Sequence, residues 1–222
     1  MSIANVYINY RLKRAPIFMN KKHLNTLLVR ECANLMYHEG VTQYFEAKKI
    51  AAKRICKKGN QYFPSNAEIS DAVYQLSLQD KEFDRDQTLF KMRLKALDMM
   101  ELLDTFSPHL IGSVNTGKIK RTSDIDIHVF CDDIELLRTF LDDSNILFEQ
   151  HEVMIMRNNR PTLYQHIYIT NEFDIELSVY PINDLRVTTK SSTDGKPIKR
   201  LSKRKLVSLL EAEHWDLLCK YE

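Results

Sequence analysis

Asp124 and Asp126 stand one residue apart in the segment Ser123-Asp124-Ile125-Asp126-Ile127-His128-Val129. Apolar residues at 125, 127 and 129 alternate with polar ones, the period of a half-buried strand. Both carboxylates therefore project from one face. Side by side they repel, and burial worsens the repulsion. Hard cations relieve it, and oxygen ligands of this kind suit Mg²⁺. Upstream, the apolar stretch His109-Leu110-Ile111 ends at Gly112-Ser113. There the missing side chain lets backbone amides approach an anion, and the hydroxyl adds a donor. Lys118, Lys120 and Arg121 lie between the two segments, available for phosphate oxygens. A triphosphate with its metal is what such a set can hold. Further on, in Glu172–Pro181, Phe173, Ile175, Leu177 and Val179 read as core-facing, which leaves Asp174 and Glu176 together on the opposite face. The same alternation would also suit a merely solvated strand face.

These residues need a scaffold. Residues 22–106 read as four helices: His23 to Tyr37, about 41–58, one opened by a Ser65/Glu68 capping box, and Phe83 to Leu103. In the second of these Val41, Tyr44, Phe45, Ala47, Ala51 and Ile55 form the apolar side, and Gly59-Asn60 closes it. From Ser107 the period changes to two. Strands are expected at 109–111 and around Asp124–Val129, then at 147–156, 162–169 and 172–180, with Ile134 to Leu141 as a short helix. Asn158-Asn159-Arg160-Pro161 and Thr170-Asn171 supply turns, so the last three strands should form an antiparallel meander. A final helix is expected around Lys203–Lys220. His128 and His166 fall on strands and are read as structural. The expected fold is α+β, with an N-terminal helical region over 1–89, a core with a mixed β-sheet flanked by helices over 90–182, and a basic segment with a terminal helix over 183–222.

With Gly112, Ser113, Gly117, Ser123, Asp124 and Asp126 at these places, the chain resembles the DNA polymerase beta-like nucleotidyltransferase superfamily, in particular its minimal members. The family pattern is an apolar strand, Gly-Ser, a glycine four residues after the serine, then Ser-Asp-x-Asp between apolar residues. The resemblance covers roughly 90–180. It implies an enzyme that moves a nucleoside monophosphate from a nucleoside triphosphate to an acceptor hydroxyl, with pyrophosphate leaving. It implies that Asp124, Asp126 and a third carboxylate bind Mg²⁺ (or Mn²⁺) and are catalytic, and that Gly112, Ser113, Gly117, Lys118, Arg121 and Ser123 bind the nucleotide. Glu176 is the preferred third carboxylate, since the apolar strand running on to Pro181 is similar to the family's, and Asp174 is its rival. Many minimal members carry an arginine just before Gly117, where this chain has Thr116.

The acceptor is not written in the motif, but charge placement bears on it. Net charge is only +2, yet the first sixty residues hold twelve Lys and Arg against three acids. Lys48, Lys49, Lys53, Arg54, Lys57 and Lys58 cluster in the second helix, and Lys196, Lys199, Arg200, Lys203, Arg204 and Lys205 follow one another without an acid between Gly195 and Lys205. Two basic stretches beside such a site suggest a polyanion, with an RNA 3′-end as the expected acceptor. A protein or small-molecule hydroxyl is the alternative, and a non-catalytic nucleotide-binding module a third reading. A 44% hydrophobic composition with 5 Gly and 6 Pro indicates a compact fold. The four scattered cysteines show no zinc spacing and fit reduced thiols in a cytoplasmic protein. Neither a signal peptide nor a membrane span is expected.

Overall fold

The computed structural model describes residues 20–56, 62–157, 160–191 and 193–221. The expectations placed on Met1–Pro16, on Lys57 to Asn60 and on the Asn158-Asn159 turn fall outside these. Two compact units divide between Ala72 and Val73.

In the first unit, α1 (Lys21–His38) is capped by the Asn20 side chain, which accepts from Lys22 N at 3.2 Å. It buries Leu28, Cys32, Leu35 and Met36. Its partner α2 (Tyr44–Ile55) presents Ala47 and Ala51, both fully buried, and such small side chains allow close helix approach. Phe45, expected on the apolar side, is 63% exposed; its ring meets Phe63 edge-on and has the Lys49 ammonium 5.0 Å from its centre. The helix that follows, α3 (Asn66–Gln79), opens with the anticipated capping box. Ser65 Oγ accepts from Glu68 N, and Glu68 Oε2 accepts from Ser65 N at 2.9 Å.

The second unit contains α4 (Arg85–Leu102), which is capped by Asp84 and carries Leu89, Met92, Ala96 and Met100 into the core. A 3-10 turn at Asp104–Phe106 leads to β1 (His109–Leu110). A five-residue helix, α5 (Gly112–Thr116), begins at the Gly112-Ser113 pair that follows this strand. Then come β2 (Ile125–Phe130), α6 (Ile134–Asp143), β3 (Glu149–Arg157), β4 (Arg160–Ile169), β5 (Ile175–Tyr180), a second 3-10 turn at Ile182–Arg186, β6 (Leu201–Ser202) and α7 (Lys203–Tyr221).

The chain is α+β. Its sheet is mixed, in the order β3-β4-β5-β2-β1-β6. β3, β4 and β5 form the antiparallel meander, and β5 lies parallel to β2. Ile125, Ile127 and Val129, with Ile175, Leu177 and Val179, share one buried cluster with residues of α4, α6 and α7. Strand alternation sends Asp126, His128 and Phe130, and Glu176, Ser178 and Tyr180, to the other face. The C-terminal stretch is part of this unit, because β6 pairs with β1 and α7 puts Leu206 and Leu210 into the same core. Among the described residues no helix is long and apolar enough to cross a membrane.

Candidate active site

The parallel pairing of β2 with β5 places Asp126 directly opposite Glu176. Asp124 lies just ahead of β2, and the chain is held there because Ile125 N donates to Asp174 O at 2.8 Å. Asp124, Asp126 and Glu176 each bring a carboxylate oxygen within 4.8 Å of the others. Asp126 and Glu176 are half-buried, and Asp124 sits at the rim. Loss of hydration pushes the Asp126 carboxyl up to about 8, with Asp124 and then Glu176 adding to the effect. The same loss of hydration raises Asp124; Glu176 and Asp174 reinforce the rise, while its backbone amide and Lys120 oppose it. Lys120 is itself lowered by desolvation, against the pull of Asp124. Three oxygen donors crowded against their own repulsion form a donor set that fits a hard divalent cation.

The approach to this cluster is shaped by Gly112. Its φ is +69°, the left-handed region, and a Cβ there would overlap Asp126 Oδ2 and come within 2.9 Å of Asp126 Cγ. Ile111 N donates to Asp126 O at 2.9 Å, which locks the Gly-Ser segment to β2. Ser113 Oγ is buried and finds no hydrogen-bond partner among the described residues. Gly117, at φ +75°, ends α5 in the left-handed conformation. Thr116 Oγ1 donates back to Gly112 O at 3.1 Å, so this hydroxyl stabilises the short helix.

The remaining expected nucleotide contacts are placed less directly. Ser123 Oγ accepts from Lys120 N, and Ser123 N donates to Lys120 O, both at 3.0 Å, closing the turn before Asp124. Lys118 is exposed, with its ammonium 5.5 Å from the centre of the Tyr74 ring. Arg121 is engaged by Asp80, at 2.7 and 2.9 Å. Asp174 is exposed and outside the cluster of three. Arg200, read from sequence as part of a basic patch, points inward. It donates to His128 Nδ1 and to the carbonyls of Asp184, Leu185 and Val187, and lies 4.9 Å over the Phe130 ring.

Three residues carry weight that sequence reasoning did not give them. His166 Nδ1 lies 2.7 Å from Glu176 Oε1. Tyr168 stands opposite Glu176 in the register; desolvation and then the Glu176 charge push its phenol pKa up, so the hydroxyl keeps its proton. Arg93, 1% exposed, donates from Nε to Val114 O in α5 and from Nη1 to Glu213 Oε2 at 2.7 Å. Its position on the Leu89–Ala96 stripe was a signal, since an arginine on a helix's apolar face must find buried partners.

No protein-family model matches the chain, and no curated protein matches it. Solved structures do. A cytoplasmic RNA terminal U-transferase is similar at 24% identity over 51% of this chain and 34% of its own, with a TM-score of 0.30. Cid1 in complex with its short product ApU is similar at 22% identity, over 53% and 37%, with a TM-score of 0.33. The GLD-2/RNP-8 complex is similar at 16% identity, over 53% and 49%, with a TM-score of 0.31. The chain thus spans between a third and a half of the length of these neighbours.

Proposed function

We propose that this chain is a metal-dependent nucleotidyltransferase that moves a nucleoside monophosphate from a nucleoside triphosphate to an acceptor hydroxyl, an RNA 3′-end. The observation that carries the reading is the convergence of Asp124, Asp126 and Glu176 within 4.8 Å, beside a glycine that has room for no side chain. Asp124, Asp126 and Glu176 would hold Mg²⁺ or Mn²⁺. When bound, the divalent cations stabilise the entering and leaving oxygens of an in-line displacement at phosphorus. The acceptor oxygen forms a bond to the α-phosphorus, the bond to the β-phosphate oxygen breaks, and pyrophosphate leaves with the electron pair. Glu176 would help take the acceptor's proton.

The phosphates are received by the Gly112-Ser113 backbone and by Ser113 Oγ, whose hydroxyl has no partner among the described residues. Gly117 keeps the end of α5 free of a side chain, and Ser123 fixes the turn that presents Asp124. Lys118 supplies positive charge from the surface, and Arg121 does so by exchanging Asp80 for phosphate. The four cysteines are free thiols, which accords with a cytoplasmic setting.

One observation favours a second acceptor class. Arg54 is bound by Glu31 at 2.9 Å and Glu39 at 2.7 Å, Lys48 donates to Asn66, and Arg200 is committed inside. These groups are withdrawn from the basic surface that an RNA backbone would use, which suits a protein or small-molecule hydroxyl. The two readings separate when the protein is incubated with each α-labelled triphosphate, Mg²⁺ or Mn²⁺, and total cellular RNA or total protein. Label in RNA supports the first reading and label in protein the second. Label in neither, nor in small molecules, counts against transfer.

A further inference from the structure

The face that carries the carboxylates continues, two residues along the strands, into a polar rung. His151, His166, Ser178, His128 and His109 lie directly opposite one another across β3, β4, β5, β2 and β1. Two of these histidines differ sharply in how they are satisfied. His128 is 1% exposed and receives a hydrogen bond from Arg200, so its burial is explained by the packing around it. His166 is 9% exposed, and neither of its ring nitrogens makes a directional hydrogen bond. Nδ1 lies 2.7 Å from Glu176 Oε1. Since a carboxylate only accepts, Nδ1 is assigned the hydrogen.

Tyr168 is two residues from His166, so both project from the same face of β4. Tyr168 lies opposite Glu176 in the register. Glu176 is therefore faced from two positions on one strand, by His166 at 2.7 Å and by Tyr168 opposite it. Without them its side chain, longer by a methylene than an aspartate's, would be free to leave Asp124 and Asp126.

We propose that His166 is a positioning residue of the cation site: it holds Glu176 by Oε1 so that the carboxylate stays with Asp124 and Asp126. This rests on the reading of those three carboxylates as a site for divalent cation. Groups that orient metal-ligating side chains in this way typically account for a 10- to 100-fold change in metal affinity.

The test is direct binding of Mn²⁺ to the full chain without nucleotide, read from the electron paramagnetic resonance of free Mn²⁺. His166→Phe removes the donor and keeps a ring. His166→Asn keeps a side-chain N–H near the place of Nδ1. Circular dichroism and thermal melting confirm that both variants are folded. The expected result is Mn²⁺ binding about 10- to 100-fold weaker in His166→Phe, with most of the affinity retained in His166→Asn. A folded His166→Phe that binds Mn²⁺ with the wild-type Kd overturns the positioning role. So does an equal loss in both variants accompanied by an equal fall in melting temperature, which is the signature of a packing role alone. A wild-type protein that binds no Mn²⁺ overturns the cation site itself and the role with it.

Discussion

β2 and β5 run side by side, and their two ends are built on opposite principles. At the end where they begin, Asp124, Asp126 and Glu176 crowd like charges together, and burial pushes Asp126 up to about 8. At the end where they finish, Phe130 and Tyr180 pack with Tyr164, and Arg200 lies over the rings. Its Nε donates to His128 and its Nη1 to three carbonyls, while Nη2 finds no partner among the described residues. Burial, with Arg200 beside it, drives His128 down to about 3, so it remains the neutral acceptor that Arg200 needs. One end surrounds its charge with carbonyls and rings; the other leaves three carboxylates facing one another. Perturbed carboxylates in such a setting mark sites of function more often than of stability.

The comparison breaks most completely at Asp126. Asp126→Asn should abolish nucleotidyl transfer in a protein that remains folded. It should also change how stability depends on pH. The folded carboxyl, at about 8, lies above its ordinary 3.8, so the native state binds this proton more tightly than the unfolded chain does. That contribution is fully present below pH 3.8 and is lost as pH rises through about 8. In thermal melts without divalent cation, the wild type should lose stability across this window. Asp126→Asn should flatten the loss, and added Mg²⁺ should offset it in the wild type alone.

A second break tests a charge that has been compensated. Arg93→Met should destabilise by about 3 kcal/mol, the lower part of the range for breaking a buried pair, because Glu213 is half exposed and can be rehydrated. Denaturant titration measures it. Gly112→Ala should cost roughly 1–2 kcal/mol from the left-handed φ alone. The added methyl must also displace Asp126, so triphosphate use should fall by more than stability does. Steady-state kinetics beside melting curves would separate the two effects.

The smallest effect is expected at the basic helix. Removing one cation that binds a backbone phosphate should flatten the log–log salt dependence of single-strand binding by about 0.7. Arg54 is already held by Glu31 and Glu39, so reversal of exposed Lys53 should weaken RNA binding more than Arg54→Gln does. Equal effects would mean that the ion pairs open for RNA. No effect of either would sharpen the case for another acceptor.

The motif end of the site was legible because its physics is local. Strand alternation fixes which way Asp124, Asp126 and Glu176 project, and Gly112 announces a close approach. Glu176 stood apart from Asp174 only through a resemblance, because both share a face; the register with Asp126 depends on a parallel pairing between distant strands. α5 was hidden for a similar reason. Its five residues have little helical propensity of their own, and Arg93, Thr116 and the hydrogen bond from Asn115 to Lys199 O hold it in place. The inward turn of Arg200 was equally unreadable, since a lysine- and arginine-rich stretch looks the same whether its charges face water or carbonyls. His166 read as structural until its nearest polar neighbour was known to be Glu176.

The central claim is tested most directly by transfer from an α-labelled triphosphate, comparing the wild type with Glu176→Gln and Asp174→Asn at equal, verified folding in Mg²⁺. The account predicts that Glu176→Gln loses transfer while Asp174→Asn retains measurable activity. Transfer by Glu176→Gln at the wild-type rate would contradict it.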